Sequence, residues 1–213
     1  DKALRKIVSR SRTEGAGVEK SVRTILKAVE RGGDRAVLRY TKKFDRLSLK
    51  LDHMRVTPEE IKEAYYHIRK DEGDSLRYAA ERVRQFHERQ RTKTWMYQEQ
   101  NATLGQMVTA LDAVGVYVPG GKAVYPSSVL MCAIPAKVAG VAELIMVSPA
   151  PGGERNPLVL AAAHLVGISP VFAIGGAQAV AALAYGTASV PAVDGCVRVE
   201  LLDALGQPTS GTP

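Results

Sequence analysis

The sequence predicts an α/β fold: a Rossmann-like parallel sheet preceded by a helical region. Three observations predict it. Residues 1–100 hold 25 Lys and Arg against 16 Asp and Glu but only 5 glycines and 1 proline. Residues 101–213 hold 4 and 6 of those charges, with 14 glycines and 10 prolines. Within the second stretch, β-rich runs alternate with helical ones at spacings of about thirty residues or less, the rhythm of βαβ units. Each β-rich run also ends in a loop that leads into a helix. The expected organisation is a mainly helical region at 1–105, a Rossmann-like βα region at 106–194 and an unrelated, disordered tail at 195–213.

In the first region, Val22, Ile25, Leu26 and Val29 fall at i, i+3, i+4 and i+7, a single apolar stripe ended by Gly32-Gly33. Asp34 is placed to cap a second helix carrying Ala36, Val37 and Tyr40. Thr57-Pro58-Glu59-Glu60 combines a capping box with proline at the first helical position, ahead of Ile61, Ala64, Tyr65 and Ile68. From Gly73 to about Gln90, Leu76, Ala80, Val83 and His87 share a face with most charges opposite. These helices are expected to pack as a separate layer or lobe.

In the second region, Val114-Gly115-Val116-Tyr117-Val118 is a strand cut off by Pro119-Gly120-Gly121. Ser127 is placed to cap a helix through Val138 that tolerates Pro135. Glu143 to Ser148 reads as a buried strand, Pro149 to Pro157 as a loop and Leu158 to Leu165 as the next helix. Val171 to Ile174 is a third strand, followed by Gly175-Gly176 and the alanine-rich helix Ala177 to Tyr185. Right-handed crossovers make these three strands parallel.

Composition excludes several classes of protein. The net charge of +7 is spread over helices with acidic residues interleaved and no alternation of aromatic with basic residues, which argues against nucleic-acid binding. No apolar run approaches the roughly 20 residues that cross a bilayer, and no apolar segment follows the basic start, so the expected location is cytoplasmic. The start without Met reads as a trimmed or partial chain. Cys132 and Cys196 lie far apart, and His53, His67, His87 and His164 show no metal-binding spacing, so neither a disulfide nor a zinc site is expected from them.

Ligands of parallel sheets bind off the carboxyl ends of the strands, which here are the loops at Tyr117–Ser128, Ser148–Asn156 and Gly175–Gln178. The first ends at a helix N-terminus, suited to phosphate or carboxylate, although it matches neither G-x-G-x-x-G nor the P-loop pattern. Lys122 and Lys137 are basic residues that could approach a phosphate, with exposed lysines as the plainer reading; a ligand loop and a tight structural turn both remain open on spacing alone. Tyr117 could be a half-buried aromatic, Gln178 a backbone cap, and Pro119 and Pro149 strand terminators.

The run Val114 to Met131, then Ala133 to Val141, resembles the histidinol dehydrogenase family, as does Gly175-Gly176-Ala177-Gln178 through Thr187. Gly33-Asp34-Arg35-Ala36-Val37, Tyr40-Thr41-Lys42-Lys43-Phe44-Asp45 and Phe86-His87-Glu88-Arg89-Gln90 are similar to that family's opening helices. The resemblance implies a zinc-dependent, NAD-linked homodimer that oxidises L-histidinol through histidinal to L-histidine, the end of histidine biosynthesis. It implies NAD contacts at Tyr117, Pro119, Pro149 and Gln178. The family's pattern continues past Asp194 into a Gly-Pro-Gly-Asn loop and then the serine, glutamine, histidine, glutamate and aspartate of catalysis and metal binding, none of which this sequence contains. No catalytic or metal-binding residue is therefore assigned, and the chain is expected to be an inactive portion of such an enzyme. The alternatives are a non-catalytic NAD- or ligand-binding module or partner subunit, and a related dehydrogenase of another amino or hydroxy alcohol. The stretch from Gly195 resembles nothing in the family and reads as the scar of a reading-frame shift, whose removal is expected to change stability little.

Overall fold

The computed structural model describes residues 2–120 and 125–197. A five-stranded sheet lies between two helical layers. Its strands are β1 (Arg55–Val56), β4 (Ala113–Tyr117), β5 (Glu143–Val147), β6 (Val171–Phe172) and β7 (Gly195–Val197), in the order β1-β6-β5-β4-β7. The last four run parallel, and β1 pairs antiparallel with β6 at the edge. β2 (Trp95–Glu99) and β3 (Ala102–Gln106) form a separate antiparallel hairpin whose ten residues are all exposed. The helices are α1 (Lys2–Asp45), α2 (Pro58–His67), α3 (Lys70–Glu88), α4 (Pro126–Ala139), α5 (Pro157–Leu165) and α6 (Gly176–Tyr185).

Strand alternation explains the two cores, because successive side chains leave a strand on opposite faces. Val114 and Val116 of β4, Leu144 and Met146 of β5, and Val171 of β6 point to the α4 and α5 face. Ile145, Val147 and Phe172 point to the α6 face. Gly115 completes the pattern: a Cβ there would lie 2.8 Å from Leu183 Cδ1, so the missing side chain lets α6 approach β4. The three expected βα units are present. Counted along the chain, the parallel strands take the spatial order third, second, first, fourth. The connection from β6 to β7 thus crosses back over the sheet, and with one crossover hand this puts α6 opposite α4 and α5.

The N-terminal helices are not a lobe apart. Ile61, Leu76 and Ala80 are buried in one cluster with the strands, α4 and α5, and Ile25, Val29, Ala36 and Val37 in the other with α6. α4 and α5 are apolar around most of their circumference, so a helix needs to cover their outer sides as well. α2 covers α5, α3 covers α4 and α1 covers α6. The expected break at Gly32-Gly33 is a kink within α1, where Gly33 adopts φ 50 and ψ −138, a conformation reserved for glycine. Asp34 accepts a hydrogen bond from the Ser189 hydroxyl at 2.8 Å. The capping box at Thr57 and Glu60 forms as expected.

Two expectations are corrected, and the N-terminal region gains strands. α4 begins at Pro126 with Tyr125 at its cap position, so Ser127 lies inside the first turn rather than before it. The region expected to be mainly helical also contains β1 and the β2–β3 hairpin. The expected disordered tail begins with an ordered strand: Gly195, Cys196 and Val197 pair with Val114, Gly115 and Val116. β4 without β7 would present an open edge of unpaired backbone groups, and β7 closes it. The rest of the tail, from Arg198, lies outside the described residues, as do Gly121, Lys122, Ala123 and Val124 of the first ligand loop.

Candidate functional site

The three predicted loops converge at the carboxyl ends of β4, β5 and β6, and Pro149 stands at their centre. A Cβ on Gly120 would lie 2.6 Å from the Pro149 carbonyl oxygen and 2.7 Å from its Cγ. A Cβ on Gly175 would collide with the Pro149 ring from the other loop. Only glycine at both places lets the loops close on the proline, which gives the glycines at these turns a steric reason.

The four expected residues divide between the two faces of the sheet. Pro119 and Pro149 line a cavity of about 460 Å³ on the α5 side, together with Gly120, Arg155, Asn156 and Phe172. Tyr117 is half-buried against the α6 core, and its hydroxyl accepts a hydrogen bond from the Gly176 N–H at 3.1 Å, tying the first loop to the third. Gln178, in the first turn of α6, has no exposed surface. Among the described residues neither its Oε1 nor its Nε2 has a hydrogen-bond partner. An unpaired buried amide costs about 1–3 kcal/mol. Gln178 therefore does not cap the backbone in this structure.

Two arrangements escaped the sequence reading. Arg155 in the second loop pairs with Glu60 of α2 and donates to the His53 carbonyl oxygen at 2.9 Å, fixing the cavity wall to the N-terminal region. Burial alone would raise the Glu60 carboxyl, but the Thr57 backbone N–H and the Arg155 charge outweigh it and hold the carboxyl below its usual value. Thr41 and Asp45 of α1 are the other case: Thr41 Oγ1 and Asp45 Oδ2 are buried, with no hydrogen-bond partner among the described residues. Burial raises the Asp45 carboxyl above its usual range. The signal was legible, since both follow the buried Val29 and Val37 at four-residue steps along the apolar stripe.

Lys137 belongs to the opposite end of the sheet. Its ammonium donates to the Gly167 carbonyl oxygen at 3.1 Å, and burial, with Arg84 nearby, lowers its pKa. It is therefore not a phosphate ligand of the loops. Among the described residues no three His, Cys, Asp or Glu side chains gather as a metal site. No helix among them is long and apolar enough to cross a membrane.

An open, mostly parallel sheet with loops converging at its carboxyl end, beside the point where the strand order reverses, defines a Rossmann-like unit. The histidinol dehydrogenase family profile matches residues 8–197. The histidinol dehydrogenase of Syntrophotalea carbinolica is 58% identical over 193 residues, covering 90% of this chain and 45% of that protein. That of Aromatoleum aromaticum is 58% identical over 181 residues, covering 84% and 41%. The crystal structure of histidinol dehydrogenase from Elizabethkingia anophelis superposes with a TM-score of 0.78 at 29% identity, again over 84% of this chain and 41% of the other. The chain belongs to the histidinol dehydrogenase family, a family of oxidoreductases, and spans a little under half the length of the curated relatives it matches. The match runs through β7, which places Gly195–Val197 inside the family region and corrects the reading of those residues as unrelated.

Proposed function

We propose that this chain carries the dinucleotide-binding part of a histidinol dehydrogenase, with NAD held by Tyr117, Pro119, Pro149 and Gln178. The observation that carries the reading is the fully buried, unpaired carboxamide of Gln178 beside the Tyr117–Gly176 hydrogen bond. A carboxamide offers one donor and one acceptor side, which suits the mixed hydrogen-bonding groups of a nucleotide. Pro119 and Pro149 offer rigid apolar surface for a flat ring, and the N-terminal turn of α6 favours negative charge nearby. NAD supplies hydride acceptance when bound; the residues here bind and orient it and keep water from its buried edge.

In the whole enzyme the reaction served is the oxidation of L-histidinol through histidinal to L-histidine, within a zinc-dependent cytoplasmic homodimer. Family membership supports this reading. The acid, base and metal-binding segments that the resemblance implies are not in these 213 residues. The chain is thus expected to bind NAD and to form no NADH with L-histidinol, even after zinc loading. Calorimetric titration with NAD, followed by an absorbance assay with histidinol, tests both parts. An absence of NAD binding would refute the site, and histidinol-dependent NADH would refute the division of labour.

A further inference from the structure

The β2–β3 hairpin has no role in the reading above, and all ten of its residues are exposed. No residue from Trp95 to Val108 belongs to either core cluster or lines the ligand cavity. The hairpin is nonetheless a formed element. Its strands pair in register from Trp95 with Gln106 to Glu99 with Ala102, and the Trp95 and Tyr97 rings stack with centroids 6.2 Å apart. The Thr94 hydroxyl closes the base, accepting from the Val108 N–H at 2.9 Å. Residues directly opposite share a face, so Trp95, Tyr97 and Leu104 stand on one side and Met96 on the other, with Met107 and Val108 following. All six are exposed. A two-stranded hairpin alone is marginal in water and needs a covering surface.

Its chemistry selects the partner. Between Thr94 and Leu111 the only charged residue is Glu99, in a chain of net charge +7. The segment has no Lys or Pro, the residues that shield an edge strand from pairing. A partner of opposite charge would be drawn to the basic helices, whereas two like-charged copies meet at least electrostatic cost through their least charged segment. Area agrees with a second copy. Large apolar side chains about half exposed offer roughly 500 Å² per hairpin. Two hairpins exchanged about a twofold axis, each covered by a matching area of the other copy, remove roughly 2,000 Å² in all, enough for a specific interface.

We propose that the β2–β3 hairpin is a dimerisation arm that packs on a second copy of this chain, the two arms being exchanged reciprocally. The proposal rests on the homodimer part of the reading above, to which it gives a contact surface, and not on the dinucleotide site.

Trp95 is the sole tryptophan, so its emission reports whether the arm is covered. The test follows the 213-residue chain by sedimentation and Trp95 fluorescence over a range of concentrations, beside the double variant Met96→Lys, Leu104→Lys, which puts a charge on each face of the arm. The wild-type mass is expected to rise from 22.9 kDa to twice that value, with Trp95 emission moving to shorter wavelength over the same range. The double variant is expected to associate at least about tenfold more weakly, with an unchanged circular dichroism spectrum because neither side chain is buried. Should that variant misfold, the wild-type emission shift decides alone. A chain that stays monomeric with constant emission would overturn the arm and dimerisation by this chain with it. A dimer that forms without an emission shift, or that survives in the double variant, would leave the homodimer standing and overturn the arm. Open-ended aggregates in place of a dimer would overturn the reciprocal exchange.

Discussion

Gln178 bears a cost in the free protein, since its amide is fully buried and neither polar atom has a hydrogen-bond partner among the described residues. Replacing it with methionine keeps the length and removes the unpaired groups. Gln178→Met is therefore expected to raise ligand-free stability by about 1 kcal/mol, visible as roughly 2–4 °C in melting temperature. The same change should weaken NAD binding at least tenfold. Higher stability with lost binding is the mark of a residue kept for a ligand, whereas a lower melting temperature would mean that the amide serves the fold. The sequence pointed to Gln178 through a family motif; that its side chain is buried and unbonded follows from tertiary packing, which no local pattern records.

Among the elements, the tie between α2 and the second loop is the most exposed to test. Glu60 caps α2 through the Thr57 N–H and also meets Arg155, and its carboxyl titrates below the ordinary value. A carboxyl whose folded pKa is depressed contributes stability above its unfolded pKa and loses it as pH falls through the folded value. Arg155→Met should cost about 1 kcal/mol or less at neutral pH, because the pair is partly exposed. Thermal melts should show the difference from wild type shrinking as pH falls through and below the usual carboxylate range; a difference that grows on acidification would contradict the pairing. The capping box was readable because it is local. The Arg155 contact spans 95 residues and was not. The β2–β3 hairpin was missed for a different reason: its signal, Trp95-Met96-Tyr97 facing Leu104-Gly105-Gln106, is short and lies inside a stretch whose charge and helical spacing dominated the reading.

At the scale of the whole molecule, one sheet serves two cores, and the carboxyl ends of its strands gather the ligand loops. The parallel sense of strands β4, β5 and β6 was legible, because a helix joins each to the next. The fourth parallel strand was not, since Gly195-Cys196-Val197 carries too little periodicity to announce a strand. Its place follows from Asp194, whose carboxylate accepts from the Ala113 N–H at 2.9 Å while its own N–H donates to the Ala113 carbonyl oxygen. Removing residues 195–213 is accordingly expected to lower the melting temperature by several degrees, contrary to the expectation drawn for an unrelated tail; an unchanged melt would mean that β7 adds nothing to the sheet.

The account centres on a dinucleotide site at the carboxyl end of this sheet, built from three loops and the first turn of α6. The most direct measurement is a titration of the isotopically labelled 213-residue chain with NAD, following backbone amide NMR shifts residue by residue. The predicted result is saturable change confined to Tyr117, Gly120, Ser148 and Gly175 through Gln178, with Lys137 and Gly167 at the opposite end unmoved. No saturable change, or change centred on Lys137 and Gly167, would contradict it.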